Sequence, residues 1–155
     1  MERPSAFLHL NDREFVQAIE GCTFAPGDFH HAGHVRLARI YLLEFGEAGA
    51  QRKMLEGIAR LAVYAGAPKK FHHTASVAWV RLVAAAVAKN RATVSFEEWI
   101  TEFPELSDKD LLSLHYSRER FSSAEARTAW IEPDLRPWPQ AEQTAKGENP
   151  QCPKI

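Results

Sequence analysis

Histidine is where this sequence concentrates its reactive side chains. Seven are present, and five fall in two short runs, Phe29-His30-His31-Ala32-Gly33-His34 and Phe71-His72-His73-Thr74. Neutral imidazole is a common ligand for divalent transition metals, and three imidazoles on one ion leave coordination positions open for water or substrate. A second constellation packs an imidazole, a phenol, a hydroxyl, two guanidinium groups and a carboxylate into His115-Tyr116-Ser117-Arg118-Glu119-Arg120. Glu119 could orient a ligand imidazole through its N–H, or accept a proton from metal-bound water, with His115 as the other proton carrier. Tyr116 has better neighbours for a pocket hydroxyl than Tyr41 or Tyr64. Arg118 or Arg120 could hold a substrate carboxylate or phosphate through paired N–H groups; surface ion pairing is the plainer use of the same residues.

The elements that must position these groups are helical almost throughout. Asn11-Asp12-Arg13-Glu14 has the form of a capping box, with Phe15, Val16 and Ile19 as the apolar face behind it. A loop with Pro26 follows, and Asp28 reads as the N-cap of a second helix over Phe29 to Phe45. Gly46 interrupts; a third helix covers Glu47 to Tyr64 and stops at Gly66-Ala67-Pro68. The fourth, Phe71 to Lys89, is rich in alanine and valine and therefore buried. Shorter helices are expected from Ser95 to Pro104, from Ser107 or Asp108 to His115, and from Ser122 to Trp130. No run of strict alternation is long enough to argue for a strand. The fold class expected is all-α: a single-domain helical bundle of four main helices, with short helices folded over one end. The domain is placed at 1–139, with Leu135 and Trp138 able to pin the chain to the body. Residues 140–155 form a Pro-rich tail expected to be mobile, since five of the nine prolines follow Ile131.

Helix faces sort the histidines. At about 100° per residue, Val35, Ala38, Leu42 and Phe45 mark the centre of the second helix's apolar stripe, with Arg36 and Arg39 opposite. His31 and His34 fall inside that stripe, about 60° apart, while His30 lies at its edge. On the fourth helix the central line is Trp79, Val83 and Ala86 or Val87, and His72 lies on it better than His73. Each histidine run opens its helix, so parallel helices would join the runs at one end of the bundle. The third helix can carry the chain back antiparallel and make that possible. His31, His34 and His72 are the ligands this selects, with His30 and His73 in reserve. Trp79 and Trp99 read as core, and Lys69-Lys70 as a solvated turn.

Composition narrows the classes. The chain has 155 residues, 45% hydrophobic and 25% charged, with a formal net charge of -1. That suits one soluble domain with a core large enough to need no metal staple, and it lacks the basic excess of a general nucleic-acid binder. No apolar stretch reaches the roughly 20 residues of a membrane span, and Met1-Glu2-Arg3-Pro4 begins no signal peptide. Cys22 and Cys152 lie far apart in sequence, which argues against a disulfide scaffold and places the protein in the cytoplasm.

The strings Phe29-His30-His31-Ala32-Gly33-His34-Val35-Arg36-Leu37-Ala38, Lys70-Phe71-His72-His73-Thr74 and Tyr116-Ser117-Arg118-Glu119-Arg120, with Ser123-Ala124-Glu125-Ala126-Arg127, resemble a family of small, functionally uncharacterised bacterial helical proteins. Its pattern is F-x-H-x-x-H, then H-x-T, then Y-S-R-E-R, and the resemblance covers most of 24–135. By position the family's histidines fall on His31, His34 and His72. Glutamate commonly stands in that family where this chain has His73, and the resemblance implies no activity. More loosely, a three-histidine bundle is similar to metal-binding proteins of the DinB and YfiT type, although there the single histidine and the close pair come in a different order.

Two readings follow. In the first, one divalent ion (zinc, iron, nickel, manganese or copper) sits on His31, His34 and His72 in a small metalloenzyme. Glu119 or His115 moves protons, Tyr116 lines the pocket, and Arg118 or Arg120 holds a small anionic substrate; a homodimer is compatible with this. The Lewis-acid metal suits hydrolysis, lyase, isomerase or transfer chemistry, and iron or copper suits oxygen chemistry. In the second, the chain is a non-catalytic helical binding module whose histidines are structural.

Overall fold

The computed structural model describes residues 9–92 and 94–138. The tail at 140–155 lies outside the described residues. Among these, every regular element is helical: α1 (Asp12–Gly21), α2 (His31–Tyr64), α3 (His73–Lys89), α4 (Phe96–Ile100), α5 (Arg118–Phe121) and α6 (Ala124–Thr128), joined by loops and 3₁₀ turns. No described helix is long and apolar enough to cross a membrane.

Local chemistry sets most of the boundaries. Asn11 accepts a hydrogen bond from Glu14 N at 2.8 Å and Glu14 accepts one from Asn11 N, so α1 opens with the expected capping box. Ser95 and Glu98 repeat that arrangement at α4. The N-cap expected at Asp28 moves. Pro26 starts a 3₁₀ turn that takes in Asp28, Phe29 stays extended, and His30 occupies the cap position of α2 without a side-chain cap bond. His72 likewise precedes α3 as its N-cap, so that helix starts two residues after the Phe71 expected. The helix expected from Ser107 or Asp108 to His115 is instead a single 3₁₀ turn, Leu111–Leu114, preceded by another at Pro104–Ser107. The one expected from Ser122 to Trp130 is the shorter α6, and Ser117 caps the separate turn α5 just before it.

Gly46 divides α2 into two arms. Its φ of 75° and ψ of 179° lie far from helical values, so the hydrogen-bonded ladder breaks and the second arm folds back beside the first. Lys53 of the second arm lies over the rings of Tyr41 and Phe45 and 3.5 Å from the Glu20 carboxylate of α1. At the far end of the same arm, the Tyr64 hydroxyl donates to the Phe24 carbonyl. The fold therefore has the expected four main helical segments, with α3 packed most extensively against α2.

The core runs through Phe15, Ile19, Val35, Leu37, Tyr41, Met54, Val80, Val83 and Trp99. Two residues depart from the simple stripe. Phe45, at the turn before Gly46, is 43% exposed, whereas Arg39, assigned by periodicity to the outer face, is 3% exposed. The segment after α3 folds over that face: Arg39 Nη2 donates to the carbonyls of Val94 at 2.9 Å and Ala92 at 3.2 Å, and its guanidinium lies 5.0 Å from the Trp99 ring centre.

Two glycine substitutions should move stability in opposite directions. Gly46→Ala places a side chain in a backbone region that L-residues avoid and should cost about 1–2 kcal/mol. Gly57→Ala sits inside the second arm, where an added Cβ meets nothing within 4 Å, and should stabilise by about 0.5–1 kcal/mol. Urea denaturation of the two variants checks the sign of each.

Candidate functional site

Antiparallel arms in α2 put the start of α3 beside the start of α2, and one cavity of about 310 Å³ results. His30, His31, His34 and His72 all line it, together with Met54, Lys70 and Trp79. The juncture expected from the helix faces is thus present, with His30 as a fourth member. His73 is half-buried, sets its ring edge-on to Phe71, and does not line the cavity.

The hydrogen bonds fix which nitrogen of His31 and His72 donates. His31 Nε2 lies 2.8 Å from the Leu106 carbonyl, which can only accept, so Nε2 is the donor and, in the neutral ring, Nδ1 holds the lone pair. Its ring meets Trp79 edge to face at 4.5 Å. His72 is oriented the same way. Its Nε2 donates to the Phe121 carbonyl at 2.7 Å, its ring stacks on Phe121 at 4.2 Å, and Nδ1 accepts from Ala75 N at 3.0 Å. Both nitrogens of His72 are therefore in use, and burial holds its pKa below the ordinary imidazole value. His34 packs against Phe29 at 4.5 Å. Burial, reinforced by the neighbouring His31, lowers its pKa to about 4, so it is neutral at physiological pH. Among the described residues, no group of three or more His, Cys, Asp or Glu side chains is arranged to hold a metal ion.

The segment from His115 to Arg120 stays outside this cavity's lining. His115 is 5% exposed, stacks on Trp138 at 4.4 Å, and places Nδ1 2.9 Å from the Arg136 carbonyl. The Tyr116 hydroxyl, 2% exposed, donates to the Ile131 carbonyl at 2.7 Å, and burial pushes its pKa up to about 12. Arg120 Nε donates to the Glu132 carbonyl, while Arg118 and Glu119 are exposed on α5. Trp138 is buried and pins the chain as expected, whereas the Leu135 side chain is 58% exposed.

Thr74 has a part that sequence reasoning gave only to a motif. It is fully buried, donates to the Ala129 carbonyl at 2.7 Å and accepts from Ile131 N at 3.2 Å. Together with His72 it ties the start of α3 to α5 and to the chain leaving α6. The sequence signal was there in Phe71-His72-His73-Thr74, but a threonine in the first turn of a helix does not by itself announce a partner far along the chain.

In comparisons with protein-family models, with curated proteins and with solved structures, the chain finds no match in any of the three.

Two measurements follow from these geometries. The pKa of His34 is depressed on folding, so the unfolded chain binds a proton that the folded chain refuses between about pH 6.5 and 4. The stability it contributes is complete above that window and is lost as pH falls through it, with a slope of up to about 1.4 kcal/mol per pH unit. Urea midpoints of wild type and His34→Gln should therefore converge or cross on going from neutral to acid pH. Thr74→Val leaves the buried Ile131 N–H and the Ala129 carbonyl of a part-buried bond without their partner and should cost about 1–3 kcal/mol in the same assay.

Proposed function

We propose that the protein is a small metal-dependent enzyme, with a divalent transition metal bound at the cavity between the starts of α2 and α3. One observation supports this above the rest: His31 and His72 both donate Nε2–H to a backbone carbonyl, and both therefore keep the lone pair on Nδ1. A metal-binding histidine is commonly oriented in this way, by donating its other ring N–H to a carbonyl or carboxylate. His34 adds a third imidazole, kept neutral in the same cavity.

The orientation of His31 supports this reading as placed, and that of His72 supports it conditionally. As placed, His72 Nδ1 accepts the Ala75 N–H, and ligation would exchange that helix-capping bond, worth about 1 kcal/mol, for the metal. The Phe121 bond through Nε2 would remain. A bound divalent ion would supply Lewis-acid chemistry at this position. The chain's own contribution is to exclude water with Met54, Trp79 and Phe29, and to offer the Lys70 ammonium at the cavity wall to a small anionic substrate. Glu119, His115, Tyr116, Arg118 and Arg120 belong to this reading as proton and substrate groups only if α5 closes further over the cavity; as placed, the buried members bond backbone carbonyls.

The second reading, a binding module with structural histidines, draws support from that same His72 Nδ1 bond and from the lack of an assembled ligand group among the described residues. His72→Asn separates the two, because asparagine caps helices well but does not replace an imidazole ligand. Protein purified without an affinity tag should contain a transition metal or take one up, and His31→Ala, His34→Ala and His72→Asn should each abolish uptake while His30→Ala retains it. Less than about a tenth of an equivalent of any transition metal, with none taken up on reconstitution, would sink the metalloenzyme reading. Undiminished uptake by His72→Asn would remove His72 from the centre.

A further inference from the structure

A second cavity, of about 510 Å³, lies on the other half of α3 and shares no lining residue with the histidine cavity. Its floor is the small-residue face Ala84, Ala85 and Ala88, its far wall is the chain from Glu132 to Trp138, and Arg81 and Arg136 both line it. The Arg81 guanidinium carbon lies 4.3 Å from the Trp130 ring centre, which holds the head group flat. Arg81 Nε is buried with no hydrogen-bond partner, and among the described residues the guanidinium forms no ion pair. The other half-buried or buried arginines contrast with this: Arg36, Arg39 and Arg120 all reach backbone carbonyls, and Arg36 reaches Asp12 as well. A guanidinium with idle donors, fixed on an aromatic face beside a second arginine, is prepared for an oxyanion.

We propose that this cleft binds a small organic carboxylate, with its charge on Arg81 and Arg136 and its apolar body over the alanine floor. Charge selects a monoanion. Glu47, Glu132 and Asp134 also line the cleft, and they repel a dianionic phosphate more than a singly charged carboxylate. Two of them hydrogen-bond elsewhere, Glu132 with Trp130 Nε1 at 2.8 Å and Asp134 with Ser117 N at 2.8 Å, and among the described residues none of the three forms an ion pair with Arg81 or Arg136. The alanine floor and the Trp138 wall give a flat, apolar slot, for which an aromatic carboxylate is the simplest probe.

Benzoate, its neutral analogue benzyl alcohol, and inorganic phosphate test this on the full chain, with affinity from calorimetry and location from the arginine Nε–H signals in NMR spectra. The expected result is saturable benzoate binding that moves the Arg81 Nε–H signal, weakened about tenfold or more by Arg81→Gln and by Arg136→Gln, with a smaller loss in Arg81→Lys. The Arg136 side chain lies on an exposed segment, so that variant reads binding even if Arg81→Gln folds poorly. Equal binding of benzyl alcohol, preference for phosphate, unchanged affinity in Arg136→Gln, or no saturable binding below roughly 10 mM benzoate would each overturn the proposal.

Discussion

Backbone carbonyls after Lys89, several of them at least part-buried, need donors, and the way they find them governs the rest of this structure. Beyond α3 the described chain holds only short helices, 3₁₀ turns and irregular segments, which cannot satisfy their own peptide groups as a long helix does. The long helices supply the missing partners from side chains. His31 reaches Leu106, Arg39 reaches Ala92 and Val94, His72 reaches Phe121, and Thr74 reaches Ala129 and Ile131. Tyr116 and His115 continue the pattern toward the end of the described chain, at Ile131 and Arg136. Each such bond is worth only about 1 kcal/mol net, but leaving a carbonyl bare where it is buried, as at Leu106 and Ile131, costs more, so the set is directional and hard to trade. The polar side chains on the two long helices thereby decide how the C-terminal third lies on the bundle.

The same bonds decide what the imidazoles have left to offer. A neutral ring holds one proton and one lone pair, and a carbonyl partner takes the proton side. His31 keeps its lone pair idle, whereas His72 lends its own to the first turn of α3. Carbonyl bonding of Nε2 thus serves two ends, since it anchors the covering segments and turns both Nδ1 atoms into acceptors. One set of contacts both holds the covering segments and sets which ring nitrogens point away from them. Removing an imidazole therefore perturbs both, which makes the cap-preserving asparagine more informative at position 72 than alanine.

Much of this was readable from the sequence where a local rule governed it. The capping boxes at Asn11 and Ser95, the break at Gly46, and the convergence of His31, His34 and His72 all rest on periodicity or on contacts within a turn. What escaped depended on long-range cover. Arg39 looks like an outer-face residue until the chain at Ala92 and Val94 lies over it, and the idle Arg81 has no signature in a helix of alanines and valines. The Tyr116-Ser117-Arg118-Glu119-Arg120 run looked reactive by residue type, yet burial and carbonyl bonds occupy Tyr116, Ser117 caps α5, and Arg120 holds Glu132. Residue type alone does not distinguish a proton carrier from a buried hydrogen-bond donor; the partner does.

Arg39 and Arg81 show that distinction at its plainest. Both place a guanidinium against a tryptophan ring, at 5.0 Å for Arg39 and 4.3 Å for Arg81. Aromatic stacking fixes the plane of the head group in each case but satisfies none of its in-plane N–H donors. Arg39 goes on to meet two carbonyls of the segment it supports, and the cost of desolvating its charge is offset within the fold. Arg81 meets none among the described residues, and a buried Nε without a partner is the kind of polar group that native structures seldom leave unexplained. Its neighbours repeat the point: two of the three carboxylates in that cleft already serve Trp130 and Ser117. The fold has completed one arginine and left the other with donors to spare, and that asymmetry, more than the presence of a cavity, separates a supporting residue from a binding one.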